Sequence, residues 1–281
     1  MPVLAIAAAL LSAIIHASWN AALKGAAGRA PDRVVDAFLI AVGGILAGGA
    51  IIAVLGGLRA EAWPYLAGSV AIHLLYWVAL MKSYDAGDLS HIYTLSRGSA
   101  PLLVAIGAAF TAGEIPPPIK ALGLVLVSFG ILLVGVSRHA PWRATAWALA
   151  VGLCISGYSL VDALGARVQG SAILYLGWNM ALMSVVMIGF AAWRRGPRQL
   201  LAASRVAPLR GIFIGVISFA GYGLVLWAQT FAPIAQVTAL RETSVVFGAL
   251  IAWLFLRERL GPRRWLGACV VAAGAGLIAF A

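Results

Sequence analysis

Charged, polar and aromatic side chains recur at helical spacing inside stretches of this sequence that are otherwise apolar, and their types set the chemistry open to the chain. Ser12, His16, Trp19, Asn20 and Lys24 recur at spacings of three and four, with Trp19 and Asn20 three and four residues after His16, which places them on one face of a helix. Ser69, His73, Tyr76, Trp77 and Tyr84 form a second stripe. Tyr158, Ser159 and Asp162 form a third, Tyr175, Trp178 and Asn179 a fourth, and Ser218, Tyr222 and Gln229 a fifth. Tyr93 with Arg97, and Thr238 with Arg241 and Glu242, complete the series. Such groups cost free energy in hydrocarbon, so they usually face a bundle interior or an aqueous path.

The chemistry these residues offer is recognition rather than bond-making. Aromatic faces suit an amphipathic or cationic solute through stacking and cation–π attraction, whereas Arg97 or Arg241 suits a carboxylate or phosphonate. An amino acid satisfies both. His16, His73 and Glu242 are groups whose proton affinity depends on exposure, which leaves proton coupling open. Arg241 and Glu242 are adjacent, so helical geometry turns their side chains about 100° apart and they cannot face the same partner. An enzyme acting on lipid-linked substrates would need a clustered nucleophile, metal ligands or an acidic pair. No phosphate loop, GxSxG or HExxH occurs, and His16 and His73 lack a third ligand at a suitable spacing. A channel would want a repeated filter or rings of like charge, which the sequence does not supply. Cys154 and Cys269 fall in apolar runs and read as packing residues, and neither a cofactor nor a metal is implied.

Position along each run sorts these residues further. Tyr84, Trp193 and Trp265 fall near run ends, where Trp and Tyr form interfacial belts. His16, His73 and Trp178 fall nearer the middle, where a cavity is the better reading. Arg97 and Arg241 could pair lipid headgroups, but their matched positions in two copies of a repeat favour a paired role. Glu114 and Glu258 sit in turns and read as caps or surface ion pairs. The candidate solute-binding set is therefore His16, Trp19, Asn20, His73, Tyr76, Trp77, Tyr93, Arg97, Tyr158, Trp178, Tyr222, Arg241 and Glu242.

The elements that must position this set follow from composition. Of 281 residues 63% are apolar and 10% charged, with a mean hydropathy of +0.99, which excludes a soluble globular domain of ordinary composition. The net charge of +11 does not imply nucleic-acid binding, because the basic residues lie in turns between apolar runs. Ten runs are long enough to cross about 30 Å of hydrocarbon, near 3–23, 34–58, 63–84, 91–112, 119–136, 145–164, 172–193, 211–230, 233–256 and 265–280. All are expected to be helices, since lipid offers backbone groups no partners. The first lacks a basic leader and reads as a span rather than a cleaved signal peptide.

Thr238 to Gly267 repeats Thr94 to Gly123 without a gap at an offset of 144, pairing Arg241 with Arg97, Glu258 with Glu114, Pro262 with Pro118 and Gly267 with Gly123. The pairing continues to Gly274 with Gly130. Two copies of five helices, residues 1–138 and 142–281, would be inverted, because an odd count turns the second copy upside down. Inverted repeats suggest transport. The fold class expected is all-α, a polytopic membrane protein of ten transmembrane helices in two inverted five-helix repeats. Gly44 with Gly48 and Gly211 with Gly215 read as packing sites, and the fifth and tenth helices, nearly free of polar residues, as peripheral packing or dimerisation helices. The turns following odd-numbered helices carry fifteen Lys and Arg against three in the others, which places those turns in the cytoplasm and both chain ends outside.

HASWNAALK from His16, YTLSRGSAPL from Tyr93, and ALRETSVVFGALIAWLFLRERLGPRRWLG from Ala239 resemble the ten-helix EamA-type members of the drug/metabolite transporter superfamily. The resemblance covers both halves, and its Glu, Pro, Leu-Gly pattern after each half's fourth helix is specific for fold rather than substrate. It implies a basket of inverted repeats around a central cavity formed by helices one, three, four, six, eight and nine. It also implies carriage of small metabolites, often outward, by alternating access. That agrees with the polar stripes except at helix seven. The expected partners are a small-molecule solute and membrane lipid, in a monomer or homodimer of the bacterial cytoplasmic membrane. The expected activity is a secondary transporter, with export favoured, of a metabolite such as an amino acid or amine, and not an enzyme. The alternatives are an integral membrane enzyme acting on a lipid-linked substrate, or a carrier of an anionic phosphonate or carboxylate.

Overall fold

The computed structural model describes residues 1–25, 33–135, 140–204, 208–255 and 261–281. Within them the secondary structure is helical throughout, as a chain with so few polar residues requires in lipid. The helices are α1 (Val3–Gly25), α2 (Arg33–Leu55), α3 (Trp63–Ala86), α4 (Leu89–Thr111), α5 (Pro118–Gly135), α6 (Trp142–Gln169), α7 (Ala172–Arg195), α8 (Pro197–Ser204), α9 (Pro208–Phe231), α10 (Ile234–Arg241), α11 (Ser244–Leu254) and α12 (Pro262–Phe280). A single 3₁₀ turn, Ala60–Ala62, leads into α3.

Eight segments among the described residues are long and apolar enough to cross a membrane, and α1 adds a shorter apolar stretch, Val3–Ser18. The helix α4 is 23 residues long but is outside the eight. Its first half, with Ser90, His91, Thr94, Ser96 and Arg97, is polar.

Three boundaries differ from the sequence expectation. The turn between the seventh and eighth runs contains a helix, α8, and α6 runs to Gln169, where Gly170 ends it in a left-handed conformation at φ 74°. The ninth apolar run is not one helix. It breaks after Arg241, where the backbone bonds shorten from four residues to three: Thr243 N–H donates to the Leu240 carbonyl at 3.2 Å and Val245 N–H to that of Glu242 at 3.1 Å. The Thr243 hydroxyl also donates to the Leu240 carbonyl at 2.6 Å, a back-bond that competes with the helix ladder and bends it. Continuous hydrophobicity gave no warning of this interruption.

Packing is set by small residues. Helices α5 and α12 lie against each other, α2 against α7 and α9, α3 and α4 against α6, and α1 against α9, α10 and α11. Along α5 and α12 a Cβ added to Gly123 would sit 2.8 Å from the Gly274 carbonyl oxygen, and one added to Gly130 would sit 2.8 Å from that of Gly267. The partners descend as the chain of α5 ascends, so the two helices are antiparallel. The expected peripheral pair thus packs together, leaving Leu122, Phe129 and Leu266 exposed toward lipid. Gly44 and Gly48 approach α7 and α9, and Gly215 approaches the Ile40 carbonyl, as packing positions should. The core at the centre draws on α1, α4, α5, α6, α9, α10 and α12 and includes Ala5, Ala9, Val104, Ala163, Leu240 and Val271.

Candidate functional site

The site is built where α4 meets the break between α10 and α11. Pro101 lies inside α4 and has no N–H to give to the carbonyl of Arg97, four residues before it. The break after Arg241 perturbs the helix at the position the repeat aligns with Arg97. Both arginines therefore sit where the regular ladder is disturbed, a setting that exposes backbone and re-aims side chains.

Arg97 Nε donates to Glu242 Oε2 at 2.8 Å, and the pair is almost fully buried, with side-chain exposures of 11% and 2%. The guanidinium of Arg97 also lies 5.7 Å from the Tyr93 ring centre. Arg241 turns elsewhere, as its position one residue from Glu242 requires, and lies 5.7 Å from the ring centre of Tyr222 on α9. Arg97 Nη2 and Arg241 Nε are buried atoms with no hydrogen-bond partner. His16 of α1 is within electrostatic reach of both guanidinium groups. Tyr158 of α6 is within reach of Arg97, Arg241, Glu242 and Asp162.

An aromatic wall adjoins these charges. His73 stacks on Tyr158 with ring centres 4.1 Å apart and planes 21° from parallel. Tyr76 meets Tyr158 edge-on at 6.1 Å and Trp77 edge-on at 5.7 Å. The imidazole Nδ1 of His73 is 2.9 Å from the Ser69 carbonyl oxygen, so the ring is held by its own helix as well as by the stack.

Behind the wall lies a carboxylate outside the candidate set. Asp162 has no exposed surface. Its Oδ1 accepts from Tyr175 Oη at 3.1 Å and from Asn179 Nδ2 at 3.2 Å, and its Oδ2 accepts from Tyr222 Oη at 2.5 Å. Asn179 Nδ2 also donates to Ser69 Oγ at 3.0 Å. The signal for it is the lone carboxylate in an apolar run, but its partners come from two other helices, α7 and α9.

A second polar junction ties the helix ends. Glu114 accepts from Ile234 N–H at 2.7 Å through Oε2, capping α10, and pairs with Arg167 Nη2 at 2.7 Å through Oε1. Arg167 also donates to the carbonyls of Gln229 at 2.8 Å and Ala232 at 3.0 Å, at the end of α9. Glu114 is thus both a cap and an ion-pair partner, and its repeat counterpart Glu258 lies outside the described residues.

Of the candidate set the structure gathers Arg97, Glu242, Arg241, Tyr93, Tyr222, Tyr158, His73, Tyr76, Trp77 and His16 into this connected region. It places Trp178 apart, edge-on to Trp63 at 5.4 Å with Nε1 donating to the Gly56 carbonyl at 3.3 Å. The side chains of Trp19 and Asn20 lie outside the described residues. Among those residues no three His, Cys, Asp or Glu side chains converge as metal ligands would.

Residues 142–280 match the EamA-like transporter family. A WAT1-related chloroplastic protein of Arabidopsis thaliana is 24% identical over 65% of this chain and 46% of its own length. A riboflavin transporter of Vibrio cholerae is 29% identical over 50% of this chain and 47% of its own. The chain thus spans about half the length of the curated relatives it matches. A solved protein crystal structure aligns over 98% of both chains with a TM-score of 0.73 at 18% identity, which establishes a shared fold.

Proposed function

We propose that this chain, whose residues 142–280 match the EamA-like transporter family, is a secondary transporter rather than an enzyme, carrying a small polar or amphipathic metabolite such as an amino acid by alternating access. The observation that carries the proposal is the Arg97–Glu242 ion pair. It joins the two halves of the chain at a broken helix, beside an aromatic wall and with buried guanidinium nitrogens left unpartnered. A folded protein retains such costly groups at a junction when the junction binds something or moves.

The reading includes ten spans in two inverted five-helix repeats, residues 1–138 and 142–281. The α5–α12 contact supports it. Gly123 aligns with Gly267 and Gly130 with Gly274 in the repeat, and each approaches the counterpart of the other along antiparallel helices. That reciprocity is what a two-fold axis lying across the helices produces, as required for rocking one repeat against the other. Export from the cytoplasm and residence in a bacterial cytoplasmic membrane complete the proposal. It is tested by reconstituting the protein in liposomes and measuring saturable counterflow across a panel of labelled amino acids, amines and riboflavin. Counterflow of one class supports a carrier; ohmic current or no flux of any solute counts against it.

A further inference from the structure

The charges at the site do not balance, and the imbalance has a direction. Arg97 and Arg241 bring two positive charges, and among the described residues Glu242 is the only carboxylate within ion-pairing distance of either. Asp162 is engaged by Tyr175, Tyr222 and Asn179 and makes no ion pair. The repeat explains the deficit. The residue that follows Arg241 is Glu242, whereas the one that follows Arg97 is Gly98, so the alignment places a carboxylate in one copy and none in the other. A Cβ at Gly98 would sit 2.7 Å from the end of the Leu132 side chain, which would have to shift to admit it. Glu242 is spent on Arg97, and Arg241 is left with a buried Nε that no acceptor reaches and an aromatic ring in place of a counter-charge. Arg97 Nη2 is likewise unserved.

A buried guanidinium without an acceptor is costly, and a charge-assisted pair with a carboxylate or phosphonate relieves the cost using two N–H groups at once. The adjoining Tyr158, His73 and Tyr76 rings offer an apolar body a surface to lie on. We propose that the solute is an organic anion with an aromatic or apolar body, that its acidic group binds Arg241 and the free edge of Arg97, and that Glu242 is the internal anion with which it competes for Arg97. The proposal rests on the reading of this region as the transport site. It excludes simple amines and retains amino acids only through their carboxylate.

The test uses full-length protein in detergent and four probes sharing one aromatic body: phenylacetate, benzylphosphonate, 2-phenylethanol and phenethylamine. Calorimetric titration is expected to show one of the two anions binding at least about tenfold more tightly than the alcohol or the amine, and which anion wins assigns carboxylate or phosphonate. Arg241→Gln is expected to erase that preference, Arg241→Lys to keep part of it, and Glu242→Gln to tighten the anion severalfold. Arg143→Gln, which removes an exposed positive charge at the start of α6, should leave it unchanged. If Arg241→Gln does not fold, the Lys variant decides, because anion preference undiminished in it would mean that the fork of Arg241 is not the contact. Anions binding no better than the alcohol, tighter binding of the amine, or binding of none of the four overturns the proposal. Liposome counterflow separates the two readings: exchange of a neutral or cationic solute without anion preference sinks this inference alone. Intact anion binding with no exchange of any solute sinks the transport reading alone.

Discussion

Asp162 illustrates how far a single residue can organise a membrane interior. Its three donors come from Tyr175, Asn179 and Tyr222, so one carboxyl group on α6 fixes α7 and α9. Replacing it with Ala orphans three buried donors at once, and the expected loss is about 2–5 kcal/mol of stability, read as a lower midpoint of thermal unfolding in detergent. Asp162→Asn keeps an acceptor for one hydroxyl and should lose less. A variant as stable as the parent would mean that water replaces the carboxylate. Glu242→Gln leaves the Arg97 charge buried without its partner, at an expected cost of about 3–5 kcal/mol by the same measurement, recovered in part by saturating phenylacetate. The adjacency of Arg241 and Glu242 was enough to say that they turn to different partners. Which partners was beyond the sequence, because Arg97 stands 145 residues from Glu242.

At the scale of elements, the fold depends on where helices come close and where they break. The α5–α12 contact leaves no room for a side chain, with glycine positions facing backbone carbonyls at 2.7–2.8 Å. Gly130→Ala and Gly267→Ala should each cost about 1–3 kcal/mol by forcing these helices apart, whereas Gly276→Ala, with nothing within 4 Å, should be neutral or slightly stabilising in the same thermal assay. The helices themselves were legible from their apolar runs, and the Gly44, Gly48 and Gly215 contacts from small-residue spacing. The break after Arg241 was not, because nothing in TALRETSVV is a Pro or Gly to announce it. It arises from the Thr243 back-bond and from the ion pair that draws Glu242 toward α4.

For the molecule as a whole, the neighbour relations are those expected if the proposed halves, residues 1–138 and 142–281, exchange: α5 meets α12, α3 and α4 meet α6, and α1 meets α9, α10 and α11. The junction of Glu114 with Arg167, Gln229, Ala232 and Ile234 ties the ends of α4, α6 and α9 to the start of α10, whereas the basic turns follow the odd-numbered runs in the sequence. If those turns are cytoplasmic, this fastened end is the outer one. A single cysteine placed at Ala281 in a background lacking Cys154 and Cys269 is then expected to react with a membrane-impermeant maleimide in intact cells. One placed at Arg143 should react only after lysis. The reverse pattern would invert the orientation and with it the direction in which the site faces.

What the sequence determined by itself was the medium and the inventory. Apolar runs of this length admit only helices across a bilayer, and polar residues at helical spacing inside them tend to face inward, so membrane class, the main helical runs and the candidate residues followed from local pattern, whereas α8 and the break after Arg241 did not. The ungapped repeat tied Arg97 to Arg241 before any coordinate did. What only the tertiary structure decided was pairing. Which carboxylate neutralises which guanidinium, that Asp162 is held by three neutral donors, and that Trp178 leaves the cluster for Trp63 all depend on contacts between residues far apart in sequence. Periodicity assigns a side chain to a face of its own helix. It carries no information about which other helix that face will meet, and the energy of a buried charge is set by that meeting.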